Sequence, residues 1–250
     1  MDCTVRDIVK EIERLAPLEN CMPGDNCGLM FGSLDRRVAK VAVALDVNSR
    51  SVDFAAASGA ELLIAHHPVF FDPVMSLSAD EPIGRVAEKI IKSGISVYCA
   101  HTNFDACEIG PSMMLARAAG IENPSQKGFI AYGEVAESGA ALAQRLRENL
   151  DSPYVNVFGL CKGKRVVVCG GSGSGELREV LALGADVYVC GELKYHQLTE
   201  YIERGVGVIT CGHRESEAVS LPGLAKHLQN CESLIKYKIR YFIADGAYGL

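Results

Sequence analysis

The chain has 250 residues, 48% of them apolar, which is enough to bury one large core or two smaller ones. A net charge of -6, with Lys and Arg in no long block, argues against broad adhesion to nucleic acid or to an anionic membrane. No apolar run reaches membrane-spanning length, and Asp2, Arg6, Asp7, Lys10, Glu11 and Arg14 interrupt the start of the chain, so neither a membrane span nor a secretory signal is expected and the cytoplasm is the expected location.

Val5, Ile8, Val9, Ile12 and Leu15 recur at helical spacing with charges between them, which predicts a surface helix brought to an end by Pro17 and Pro23. From Val38 onward, short β-branched runs alternate with helical stretches: VAKVAVALDV, ELLIAHH, ISVYCAHT, RVVVCGG, DVYVCGE and VGVITCGH. That alternation predicts an α/β fold of parallel sheets flanked by helices. Cys99, Cys169, Cys190 and Cys211 sit inside these runs without the paired CxxC spacing of zinc ribbons, so they read as reduced core residues. Cys211, two residues before His213, is the thiol placed to reach a metal, although burial in the core is its expected role.

An approximate internal repeat organises the chain. Gly59-Ala60-Glu61 leads through LLIA to His66-His67, and Gly184-Ala185-Asp186 leads through VYVC to Gly191-Glu192. Each is followed by a helix, a glycine, a buried strand, and then a histidine with a carboxylate four residues later, namely His101 with Asp105 and His213 with Glu217. The pattern predicts two similar α/β domains from a duplicated unit, spanning 1–123 and 124–250, with the boundary near Asn123, Pro124 and Ser125.

In open α/β sheets, ligands bind beyond the carboxyl ends of the strands. His66, His67, Asp105, His213 and Glu217 all fall at such ends, and their convergence predicts a pair of divalent ions in a cleft between the halves. Mixed imidazole and carboxylate donors suit zinc, iron, manganese, nickel or cobalt better than magnesium or calcium. A carboxylate is the natural bridge between two ions, with Asp105 the first choice and Glu217 the second. His101 and Glu192 are placed to carry a proton. The GGSGSGE stretch fails both the Walker and the dinucleotide patterns, but Gly171, Ser172 and Gly173 are candidates to hold a phosphate with backbone amides at a helix start. Lys194, Tyr195 and His196 form a second tier, for which a surface position is the plainer reading.

The motifs GDNCGLMFG, IAHHPVFF, AHTNFD, DVYVCGELKYH and CGHRESE, in that order over nearly the whole chain, resemble the Ngg-one-interacting-factor-three-like family, also known as GTP cyclohydrolase 1 type 2. The resemblance implies a dinuclear centre on His66, His67, Asp105, His213 and Glu217, and a ring-shaped homohexamer with sites facing an internal cavity. Longer relatives carry an inserted domain, and this chain looks like the short form, with GFIAYGEVAESGAALAQRLRENL resembling the usual domain link. The expected activity is metal-dependent hydrolysis of a nucleotide or other phosphate-containing small molecule. Two divalent ions outweigh Asp105, Glu217 and hydroxide and leave a pocket that attracts anions. The rival reading is a metal-holding adaptor or metallochaperone without turnover.

Overall fold

The computed structural model describes residues 2–137 and 139–244. Residue 138 of the expected link, and residues 1 and 245–250 at the ends of the expected halves, lie outside the described residues. In chain order the first elements are α1 (Val5–Leu15), β1 (Gly28–Phe31), β2 (Lys40–Ala44), α2 (Ser49–Ser58), β3 (Leu62–Ala65), α3 (Pro82–Ser93), β4 (Ser96–Cys99) and α4 (Thr102–Asp105). They continue as α5 (Pro111–Ala118), β5 (Ser125–Lys127), β6 (Ile130–Glu134), α6 (Ala140–Leu150), β7 (Asn156–Phe158), β8 (Arg165–Ser172) and α7 (Leu177–Ala182). The rest are β9 (Val187–Glu192), α8 (Tyr195–Glu203), β10 (Gly207–Thr210), α9 (His213–Ala218), α10 (Leu221–Asn230), α11 (Glu232–Ile235) and β11 (Arg240–Ala244).

The chain divides into two compact units, Met1–Phe104 with Leu221–Leu250, and Asp105–Ser220. In the first unit the sheet runs β1-β4-β3-β2-β11, parallel throughout except for β1, which is antiparallel to β4. Alternate residues of each strand face opposite sides. Val97 of β4 and Leu63 of β3 pack with Val52, Ala55 and Ile90 of α2 and α3, while Tyr98 points the other way and donates its hydroxyl to Glu13 of α1 at 3.2 Å. The predicted apolar face of α1 is buried at Val5, Ile8, Val9 and Ile12, and Asp7 accepts the Thr4 amide and hydroxyl at its start. Asn48 accepts the amides of Arg50 and Ser51 to open α2. Gly59 and Gly94, both at φ 68°, close α2 and α3 in the left-handed conformation.

In the second unit the sheet runs β5-β6-β8-β9-β10-β7. Strands β8, β9 and β10 are parallel, whereas β6 and β7 run antiparallel to β8 and β10. One face buries Val166, Val168, Val187, Val189 and Ile209 against Leu115 and Ala116 of α5 and Leu142 and Leu146 of α6. The other buries Val167, Tyr188 and Val208 with Val180 of α7 and Tyr201 of α8. Among the described residues, no helix is long and apolar enough to cross a membrane.

All six β-branched runs form strands, and helices flank both sheets. The sheets are mixed rather than wholly parallel, because β1, β5, β6 and β7, short strands outside those six runs, add antiparallel pairs. The unit boundaries also differ from 1–123 and 124–250. Helix α5 buries Met113, Leu115 and Ala116 in the second core, and β11 pairs with β2 from Lys40 to Ala44 and joins the first sheet. The stretch expected to be a link is built into the second unit, where β6 pairs with β8 and α6 buries Leu142, Ala143 and Leu146.

The two sheets share a local topology, in which β2-β3-β4 with antiparallel β1 corresponds to β8-β9-β10 with antiparallel β7. The matched acids do the same local work. Glu61 accepts the amides of Ala39 and Lys40, and Asp186 accepts those of Lys164 and Arg165. Because Leu62 pairs with Ser96 and Val187 with Gly207, the ladders align His101 with Gly212, one position before His213. The expected match of His101 to His213 is therefore one residue out of register.

Candidate metal centre

In the first unit, β3 stops at Ala65 and delivers His66 and His67 past its carboxyl end, while β4 stops at Cys99 and delivers His101. The turn lets neighbouring imidazoles converge, and the three side chains offer ring nitrogens within 4.8 Å of one another. The ring centroids of His66 lie 5.1 Å from His67 and 5.2 Å from His101. Each Nδ1 is held by an oxygen: His66 by the Ala100 carbonyl at 2.9 Å, His67 by Asp46 Oδ1 at 2.8 Å, and His101 by Asp25 Oδ1 at 2.8 Å. A carbonyl or carboxylate at Nδ1 accepts a proton there, so that in the neutral imidazole the lone pair is on Nε2. That is how proteins orient imidazoles that ligate metal.

Asp25 is anchored in turn. It accepts the Thr102 amide at 3.2 Å and the Thr102 hydroxyl in a short bond, as well as the Cys27 thiol at 3.1 Å. Burial would raise the pKa of its carboxyl, but hydrogen bonds from Thr102, His101 and Cys27 outweigh burial and hold it well below the usual carboxylate range. Asp25 therefore stays ionised and able to accept from His101. Phe71, 61% exposed, places its ring 6.0 Å from that of His67 and 5.7 Å from that of His101.

In the second unit, β10 stops at Thr210 and α9 opens with His213, so His213 and Glu217 stand one turn apart. His213 Nε2 lies 3.2 Å from Glu217 Oε1, and His213 Nδ1 lies 3.1 Å from Glu192 Oε1 at the end of β9. Glu217 is buried and His213 partly exposed. Gly171, at φ +65°, makes room for this pair, since a side chain there would collide with Glu217 Oε1 and reach 3.3 Å from His213 Nε2. Asp105 ends α4, and its carbonyl accepts from Gln126 at 3.0 Å.

The structure thus gathers His66, His67 and His101 in one unit, and His213, Glu217 and Glu192 in the other. The glycine stretch is placed differently from expectation. Gly171 and Ser172 lie within β8, and α7 begins only at Leu177. The Gly171 amide donates to Ser216 Oγ at 2.9 Å and the Gly173 amide to the Glu192 carbonyl at 3.3 Å. A side chain at Gly173 would collide with the Tyr188 hydroxyl, so both glycines have a packing reason. Lys194, Tyr195 and His196 are exposed at the start of α8. Cys211 is buried with its thiol on the Cys190 carbonyl at 3.3 Å, and burial pushes that thiol up to about 12, in keeping with a core role. Sequence reasoning missed Asp25 and Asp46, the acids behind two of the histidines. Asp46 follows β2 at the same end of the sheet as His66 and His67, which is the signal that would have found it.

Fold and site together define a two-unit α/β protein whose strand-end histidines and carboxylates could hold a metal ion. The chain belongs to the Duf34/NIF3 (NGG1p interacting factor 3) family, whose model matches residues 3–246. A Streptococcus pneumoniae protein named GTP cyclohydrolase 1 type 2 homolog is 30% identical over 194 residues, covering 72% of this chain and 73% of that protein. One of the same name from Halalkalibacterium halodurans is 37% identical over 116 residues, and this chain spans only 31% of its length. Among solved structures, a Staphylococcus aureus hypothetical protein matches with a TM-score of 0.92 at 25% identity, each chain covered completely. A Bacillus cereus protein related to NIF3 shares the fold with a TM-score of 0.91 at 22% identity, covering 99% of this chain and 98% of that one.

Proposed function

We propose that the protein is a dinuclear metal-dependent hydrolase acting on a nucleotide or another phosphate-containing small molecule. The observation that carries this reading is the oxygen held at Nδ1 of each of His66, His67 and His101, a preparation that imidazoles packed only for stability do not need. In this reading His66, His67, Asp105, His213 and Glu217, drawn from both copies of a duplicated unit, hold two divalent ions of the zinc, iron, manganese, nickel or cobalt class. Such ions supply Lewis acidity and hydroxide at neutral pH when bound.

The chain's own groups do the rest. Asp46 and Asp25 fix which nitrogen of His67 and His101 carries the proton. His101 exchanges a proton at Nε2 with the reacting group, and Glu192 holds the proton at His213 Nδ1. Of the Gly171, Ser172 and Gly173 stretch, the exposed Ser172 hydroxyl is the group we expect to meet a phosphate, because the two glycine amides already donate within the protein. The names of the relatives make GTP the first substrate to try.

The test is metal per chain in the native protein and in the Asp105→Ala and His213→Ala variants, followed by a phosphoester and nucleotide screen. About two ions per chain, falling in both variants along with a saturable hydrolytic rate, is the expected result. Two ions that exchange readily with no turnover would instead make the protein a metallochaperone or adaptor. No bound metal after reconstitution would remove the centre altogether.

A further inference from the structure

Cys21, Asp25 and Cys27 lie on the segment between α1 and β1 and offer two Sγ atoms and a carboxylate oxygen, all within 4.8 Å of one another. Neither cysteine belongs to the ligand set above. Of the ten cysteines seven are buried, and Cys21, Cys27 and Cys231 reach the surface. Cys231 turns its thiol to Glu11 Oε2 at 3.1 Å. Two accessible thiols within one seven-residue segment are therefore set apart from the cysteines that fill the core.

Two further features point to an ion. Cys27 Sγ donates its proton to Asp25 Oδ2 at 3.1 Å, a contact in which a cation takes the place of the proton between a sulfur and an oxygen ligand. The segment is also held by bonds that involve neither thiol. The Met22 amide donates to Thr102 Oγ1 at 2.9 Å, the Asp25 amide to the Met22 carbonyl at 3.0 Å, and Asn26 Nδ2 to the Phe70 carbonyl at 2.8 Å. The ligand positions are thus set by the fold, as a selective site requires.

We propose that Cys21, Cys27 and Asp25 form a second cation site, for a thiophilic ion of the zinc class, distinct from the histidine and carboxylate centre. On capture each Sγ releases its proton to solvent water and bonds to the ion, Asp25 adds Oδ2, and a water completes four ligands; no electron is transferred. Tetrahedral bonds of about 2.0–2.3 Å set ligand atoms roughly 3.3–3.8 Å apart, so atoms already within 4.8 Å close by side-chain rotation. Sulfur donors select zinc, cadmium or cuprous ion over magnesium or manganese. Asp25 also accepts from His101 Nδ1 through its other oxygen, so an ion here shares a carboxylate with the imidazole next to His66 and His67.

The test titrates the reduced, metal-stripped protein with cadmium and follows the ultraviolet charge-transfer band that thiolate ligands give and imidazole or carboxylate ligands do not. The expected result is saturation at one cadmium per chain, a tenfold or greater loss of affinity in Cys21→Ser and in Cys27→Ser, and no change in Cys231→Ser. Far-ultraviolet dichroism confirms that each variant is folded, and Cys21→Ser leaves the Cys27 hydrogen bond to Asp25 in place. His67→Ala and His213→Ala keep the band even where they lose other metal, so this site and the dinuclear reading fail separately. A band undiminished in the Cys21→Ser/Cys27→Ser double variant, or absent from the reduced native protein at several equivalents, overturns the proposal. An absent band together with ready air oxidation of the two thiols to a disulfide would make them a redox pair instead.

Discussion

At the scale of single residues, the acids behind the histidines carry the sharpest consequences. Asp46 and Asp25 each accept an Nδ1 proton at 2.8 Å, and replacing either by asparagine keeps the shape while weakening the hold on the tautomer. We expect Asp46→Asn to weaken metal binding at the histidine centre by roughly 10- to 100-fold, read by competition with a chromophoric chelator, and Asp25→Asn, which stands behind the proton carrier His101, to lower the hydrolytic rate, with far-ultraviolet dichroism unchanged in both. Unchanged metal affinity in the first and an unchanged rate in the second would mean that the acids only pack the strand ends. Gly171 is the second informative position. Its φ of +65° and the contact a side chain would make with Glu217 Oε1 predict that Gly171→Ala lowers both the thermal midpoint and the metal content, whereas an alanine at exposed Gly175, which meets nothing within 4 Å, leaves metal content alone.

At the scale of elements, α1 connects burial with electrostatics. Ile12 is fully buried, so Ile12→Ala should cost roughly 2–5 kcal/mol in urea unfolding. The residue before it, Glu11, is also buried. Burial raises the pKa of its carboxyl, but hydrogen bonds from Cys231, Ser233 and Arg14 outweigh burial, and the net direction is below the ordinary value of 4.5. A carboxylate whose pKa is depressed by folding stabilises the protein above its unfolded value, and that contribution disappears as pH falls through the folded one. Stability should therefore decline as pH drops below about 4.5, and the decline should be shallower in Glu11→Gln. An equal slope in both would show that other acids dominate.

At the scale of the whole molecule, the motif resemblance implies a homohexameric ring, for which light scattering of the purified protein should return six times the 26.8 kDa of one chain. A monomeric mass would remove the ring while leaving the strand-end histidines as they are. What was legible beforehand followed from local rules. Six short β-branched runs marked the central strands, and the spacing of Val5, Ile8, Val9 and Ile12 marked α1. His66, His67, Asp105, His213 and Glu217 were picked out because ligands gather where parallel strands end, and His101 as a proton carrier beside them. Periodicity and strand termination are written in neighbouring residues, so one sequence suffices for them.

Tertiary structure decided the rest, because those facts depend on pairings between distant segments that no local pattern records. Asp25 lies 76 positions from His101 and Asp46 lies 21 from His67, so only the folded chain shows which acid orients which ring. The return of β11 to pair with β2, the antiparallel edges and the one-residue offset between His101 and His213 likewise follow from backbone hydrogen bonding between strands. Such bonds are made by the same amide and carbonyl groups in every residue, and their partners are chosen by the fold as a whole.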